Sequence, residues 1–141
     1  MKLICRSLVL LFVLGGVAVC GINAQLPPNG VEFKAAFSFV VGTETFPAGT
    51  YTIKPTQDDL DVLAIQGAKG HAGFTYCEEY DAPSTATKTE LTFNKYGTTR
   101  YLKQISVSNS QQGCLVATGN AEKRAKKSGK PTKEVVEGNA K

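Results

Sequence analysis

The chain holds one histidine, His71, and Cys77 follows it by six positions. A cysteine nucleophile needs a base within hydrogen-bond reach and a third group to orient that base. Six residues of extended strand span about 20 Å, so the two side chains meet only if the chain folds back between them. His71 therefore reads as an exposed residue leaving a hairpin loop. Asp58, Asp59 and Asp61 could offer oxygens to calcium, but the stretch lacks the glycine and distal glutamate of a loop site. It reads as an acidic turn in solvent. Glu78, Glu79 and Asp81 are the carboxylates that could run a hydrolysis. They stand in a polar stretch with no aromatic platform beside them, and the chain has no tryptophan. One histidine and a single pair of downstream cysteines do not make a zinc site. No catalytic residue, cofactor or metal ligand is assigned, and the expectation is a protein that is not an enzyme.

The compartment is legible from the N-terminal residues. Lys2 and Arg6 precede an apolar run over residues 7–19, and Ala24 gives a small residue before Gln25. That three-part layout predicts a secretory signal over residues 1–24, cleaved after Ala24. A membrane anchor is the competing reading, but a spanning helix needs about 20 apolar residues and the run is shorter. Lipidation at Cys20 would need a small residue before it, where the chain has Val19. The predicted product is exported, to the periplasm, envelope or exterior, with no transmembrane segment after cleavage.

Export changes the cysteine and charge arithmetic. Cys5 and Cys20 fall in or beside the signal, leaving Cys77 and Cys114. In an oxidising compartment a lone pair is expected to form a disulfide. The whole chain's formal +4 drops to +2 once Lys2 and Arg6 are removed. Residues 25–120 are net −2, whereas residues 121–141 carry seven Lys or Arg against three Glu. The segment 119–141 is read as a flexible, basic, solubilising tail, because its short helical stretch has no apolar face and Gly129 and Pro131 interrupt it. Attraction of that tail to anionic envelope surfaces is the second reading. Nucleic acid is not expected as a partner, since export removes the chain from it and no aromatics interleave with the charges.

The intervening residues carry strand signals. A leader at residues 25–30 holds two prolines and a glycine. Residues 31–41 alternate, with Val31, Phe33, Phe37, Phe39 and Val41 on one parity. Residues 42–45 and 46–49 read as turns, the second a Phe-Pro-Ala-Gly hairpin. Tyr51 and Ile53 share a face. Residues 60–66 are apolar at nearly every position and predict a strand buried on both faces. Residues 71–77 return from a Gly-Ala-Lys-Gly loop with Phe74 and Tyr76 on one parity. Residues 78–88 read as a polar loop. Leu91 and Phe93 mark a strand over 89–96, and residues 100–107 the next. There Leu102 stands off the parity of Tyr101, Ile105 and Val107, which predicts a bulge. Residues 114–118 form the last predicted strand. Six to seven strands at this spacing predict an all-β fold, an antiparallel β-sandwich or small β-barrel, in one β domain at residues 31–118. The aromatics Phe33, Phe37, Phe39, Tyr51, Phe74, Tyr76, Phe93 and Tyr101 are read as its core.

Three stretches together carry a resemblance. Residues 37–42 read Phe-Ser-Phe-Val-Val-Gly, residues 46–51 Phe-Pro-Ala-Gly-Thr-Tyr, and residues 91–97 Leu-Thr-Phe-Asn-Lys-Tyr-Gly. With the charged stretch 121–125, this ordered set resembles a family of small exported bacterial all-β proteins of uncharacterised function. The resemblance implies the β fold and export, and no chemistry.

The functional expectation is an exported, non-enzymatic β domain that acts by contact, its partner an envelope component or another protein. A barrel binding a small hydrophobic ligand is the alternative, and a hydrolase the third reading.

Overall fold

The structure is a computed structural model that describes residues 26–141. The predicted signal at residues 1–24, with Cys5 and Cys20, lies outside the described residues. The chain forms β1 (Val31–Ala35), β2 (Phe39–Val41), β3 (Glu44–Phe46), β4 (Gly49–Pro55), β5 (Val62–Gly67), β6 (Ala72–Asp81), β7 (Glu90–Tyr96), β8 (Thr99–Ser106), β9 (Gln112–Val116), α1 (Asn120–Lys127) and β10 (Thr132–Ala140). Eight strands close into an antiparallel barrel in the order β1-β4-β5-β6-β9-β8-β7-β10. The β2–β3 hairpin attaches to it through a parallel pairing of Val40 with Tyr101 on β8.

Period-two alternation sets what points inward. Val31, Phe33 and Ala35 of β1 face the interior. They meet Tyr51 and Ile53 of β4, Leu63 and Ile65 of β5, Leu91 and Phe93 of β7, Ile105 of β8, and Cys114 and Val116 of β9. The predicted bulge is present: Thr92 pairs Gln104, Phe93 pairs Leu102, and Lys103 is the extra residue. That insertion lets Leu102 and Ile105 both point into the core. An eight-stranded barrel is just wide enough to be filled by side chains or to hold one small ligand, and here aromatic rings pack together inside it. The centroids of Phe33, Phe39, Phe46, Tyr51 and Phe93 lie 5.1–6.3 Å from their neighbours. From the leader, Leu26 is also buried in the core.

Four expectations are corrected. The strands number ten among the described residues rather than six or seven, partly because residues 31–41 break at 36–38 into β1 and β2. The segment 119–141 is not a flexible tail but forms α1 and β10. β10 pairs β7 from Thr132 to Glu137 and β1 from Gly138 to Ala140. Two open strand edges needed partners, and β10 supplies the backbone for both, a demand that composition does not express. Gly129 and Pro131 end the helix without ending the structure. The polar stretch after Cys77 is strand as far as Asp81, because β9 pairs with it. Residues 60–66 are buried on one face only, with Leu60 58 % exposed and Val62 and Ala64 half-buried.

Candidate functional site

Cys77 and Cys114 are joined by a disulfide, their Cα atoms 5.5 Å apart. Glu79 pairs Cys114 and Cys77 pairs Val116, so the bridge runs diagonally between β6 and β9, two residues out of register. Both cysteines are buried. This bond fixes which residues of β6 face inward. Gly73, Thr75 and Cys77 take the interior parity, and Phe74 and Tyr76 are turned to solvent. Phe74 is 71 % exposed and Tyr76 66 %, so both leave the predicted core. Gly73 permits the arrangement from below: a Cβ there would lie 2.8 Å from Cζ of Phe46, whose ring fills the space.

The outer face so formed is apolar. Phe74 lies opposite Ala64 and Tyr76 opposite Val62 across the β5–β6 ladder, with Leu60 exposed at the turn before β5. Beyond Tyr76 a groove of about 280 Å³ is lined by Glu78, Lys103, Leu115 and Thr118. The bulge residue Lys103 secures its wall, donating to the Val116 carbonyl at 3.5 Å and to Thr118 Oγ1. The pairing of β6 also changes here. Ala72–Tyr76 pair with β5, while Cys77–Asp81 pair with β9. The aromatic strip therefore sits on the half of β6 that has one strand neighbour among the described residues.

One barrel end is closed by charge over a ring. Phe37 stands edge-on to Phe93 at 5.2 Å, and the Arg100 guanidinium lies 4.4 Å above the Phe37 centroid. Arg100 donates through Nε and Nη2 to the Glu134 carboxylate at 2.5 and 3.3 Å, and Lys95 Nζ lies 3.4 Å from the same group. Lys95, Arg100 and Glu134 alternate onto the interior parity, where β10 ends the barrel. The Arg100 hydrogen bond, helped by the charges of Arg100 and Lys95, holds the Glu134 carboxyl below the usual glutamate value of 4.5. A depressed folded-state value stabilises the fold fully above the unfolded value and is lost as pH falls through the folded one. The stability difference between the wild type and Glu134→Gln is therefore expected to shrink on acidification below about pH 4.5. Urea melts at several pH values measure it, and a difference that grows toward acid would contradict the assignment.

The chemistry-bearing residues do not assemble into a catalytic group. His71 is exposed at the β5–β6 turn, and Cys77 is committed to Cys114. Asp59 Oδ1 accepts the Asp61 backbone N–H at 2.9 Å in an exposed turn. Strand alternation puts Glu78 on the face opposite Glu79 and Asp81. Among the described residues, no three His, Cys, Asp or Glu side chains converge as metal ligands, and no helix is long and apolar enough to cross a membrane. The exposed strip had a signal in the chain. Cys77 forms the bridge inward, and Phe74 and Tyr76 are each an odd number of residues from it.

Fold and surface together define a small antiparallel β-barrel, packed with side chains and bridged by Cys77–Cys114, with an aromatic strip outside. No family model, curated protein or solved structure matches the chain.

Proposed function

We propose that this is an exported, non-enzymatic β domain that works by contact with another protein of the cell envelope or exterior. The carrying observation is the pair Phe74 and Tyr76 exposed on one outer face of β6, with Leu60 exposed at the turn before β5; the other large apolar residue so exposed among those described is Val135 on β10. Large aromatic side chains clustered on a surface are costly to leave in water and are the residue types that dominate interface energies. Export is supported by the layout of residues 1–24 and by the Cys77–Cys114 bridge, which belongs to an oxidising compartment. The ring-filled interior speaks against the ligand-binding barrel, since a hydrophobic guest would have to displace Phe39 or Phe46.

Fractionation with N-terminal sequencing tests export, with a mature N-terminus expected at or near Gln25. The contact is tested with Phe74→Asp and Tyr76→Asp together. Both side chains already face water, so thermal stability is expected to change by no more than about 0.5 kcal/mol per site. Association, read by sedimentation of the mature protein and by its retention on envelope fractions in about 1 M salt, where charge attraction to lipid is screened, is expected to be lost. A wild-type protein that sediments as a lone monomer and is not retained would overturn the proposal.

A further inference from the structure

The basic residues of the C-terminal segment are held in a fixed arrangement. α1 packs one side against the barrel: Glu122 is 4 % exposed and accepts from Asn94 Nδ2 at 3.1 Å, with Ala121 and Ala125 half-buried beside it. At 100° per residue these three define the packed side. Lys123 and Lys127 point away from it, Arg124 and Lys126 flank it, and all four are exposed. Lys130 and Lys133 extend the exposed series into the connection and β10.

These six cations are uncompensated. Each glutamate of the segment is engaged elsewhere: Glu122 on Asn94, Glu134 on Arg100 and Lys95, and Glu137 on Lys88 at 2.6 Å. Among the described residues none of the six makes an ion pair. The helix's own stability accounts for only part of this charge pattern, although Glu122 in the first turn is favourably placed for the helix dipole. Its N-cap is Gly119, with no side-chain cap. Lys123 repels Lys126 and Lys127 at i+3 and i+4, and Arg124 repels Lys127, each by a few tenths of a kcal/mol. Cations in the last turn gain from the helix dipole, which offsets part of that repulsion but does not account for Lys123, Lys130 or Lys133.

We propose that this face docks the barrel on an anionic phospholipid bilayer, by charge and without insertion. Side chains on a convex helix face diverge, so they cannot converge on one small anion, whereas a flat field of negative headgroups meets all of them at once. The exposed side of α1 carries no apolar residue to enter the acyl region. Each Lys or Arg near such a surface adds to the attraction, and the effect decays within a Debye length. The choice of a bilayer rests on the export proposed above. Vesicle binding of purified protein tests the docking face, and fractionation tests export, so the two failures are told apart.

The experiment uses residues 25–141, which contain every element of the barrel and omit the apolar N-terminal run. Pelleting with vesicles of phosphatidylcholine containing about one-third phosphatidylglycerol is expected, with none on phosphatidylcholine alone. Raising salt from about 0.1 to about 1 M, where the Debye length falls from roughly 10 to 3 Å, is expected to abolish it. The combined variant Lys123→Gln, Arg124→Gln, Lys126→Gln and Lys127→Gln is expected to bind about tenfold more weakly or worse. Lys34→Gln, Lys54→Gln and Lys69→Gln together, at exposed sites elsewhere, are expected to leave binding unchanged. Should the helix variant fail to fold, the salt and lipid comparisons on the wild type still decide. Equal binding to neutral vesicles, an undiminished helix variant, or retention on heparin or DNA without vesicle binding would each overturn the proposal.

Discussion

A chain ending at Pro131 is expected to lose cooperative folding. β10 is the wall between β7 and β1, pairing nine of its positions with one or the other. Its removal leaves both edges open, and it uncovers Val31, Phe33, Leu91 and Phe93, all within 2 % of complete burial. Fully burying such a side chain is worth about 1.5–3 kcal/mol. Even half of that for four residues, together with nine lost pairings at roughly 0.5–1.5 kcal/mol each, matches or exceeds the 5–15 kcal/mol that holds a typical domain. The Arg100–Glu134 closure is lost as well. The expected result is a compact but non-cooperative species, with shallow thermal and urea transitions and rapid amide exchange in β1 and β7. Adding a peptide of residues 131–141 in trans is expected to restore a sharp transition. A truncated chain that melts sharply near the full-length midpoint would refute this account of the barrel. Gly138→Val gives a milder version. A Cβ there lies 2.9 Å from Val31 Cγ1 and 3.0 Å from Leu91 Cδ1, so crowding of this kind is expected to cost about 1–3 kcal/mol.

The same strand shows where reading the chain by pattern runs out. Residues 31–35, 49–55 and 90–96 announce themselves, because most of their inward positions are Val, Phe, Tyr, Ile or Leu and their outward ones are mostly polar. Leu102 betrayed its bulge by breaking parity. β10 offers only Glu134, Val136 and Gly138 to the interior, a weak apolar signal. Its place is fixed by the two backbone edges it joins and by Arg100 and Lys95 meeting Glu134. Neither influence is visible in the composition of residues 119–141, which looks like that of a solvated tail. The strip at Phe74 and Tyr76 failed differently. Large aromatics at strand spacing are ordinarily core, and only the inward commitment of Cys77 reverses the parity. Part of the candidate surface was therefore present in the chain as a conflict between two local signals. The exposed face of α1 was not, because nothing local says that Glu122 will be buried on Asn94.

Replacing Cys77 and Cys114 together with alanine is expected to cost about 4 kcal/mol. The bridge closes 37 residues of sequence separation, and the chain-entropy relation for a loop of that length gives roughly that figure at 25 °C. For a domain of this size it corresponds to a fall in Tm on the order of 10–20 °C. Reducing agent added to the wild type is expected to give most of the same shift, and thiol labelling of the folded, unreduced protein is expected to find neither cysteine. A Tm change of only a few degrees, or labelling of either residue before reduction, would contradict the assignment. The position of the bond also predicts where the reduced protein gives way. Cys77 is the residue at which β6 leaves β5 and takes up β9, and β9 meets β8 over only three positions, Gln104 to Ser106. Without the bridge, β9 keeps five backbone pairings to β6 but only three to β8. Amide exchange in the reduced protein is therefore expected to accelerate first at Cys114–Val116, with β1, β4 and β7 protected longer. Since the aromatic strip lies on β6 immediately before Cys77, the same reduction loosens the surface proposed to make contact. Contact and stability are then expected to fall together in a reducing compartment and to stand together in an oxidising one.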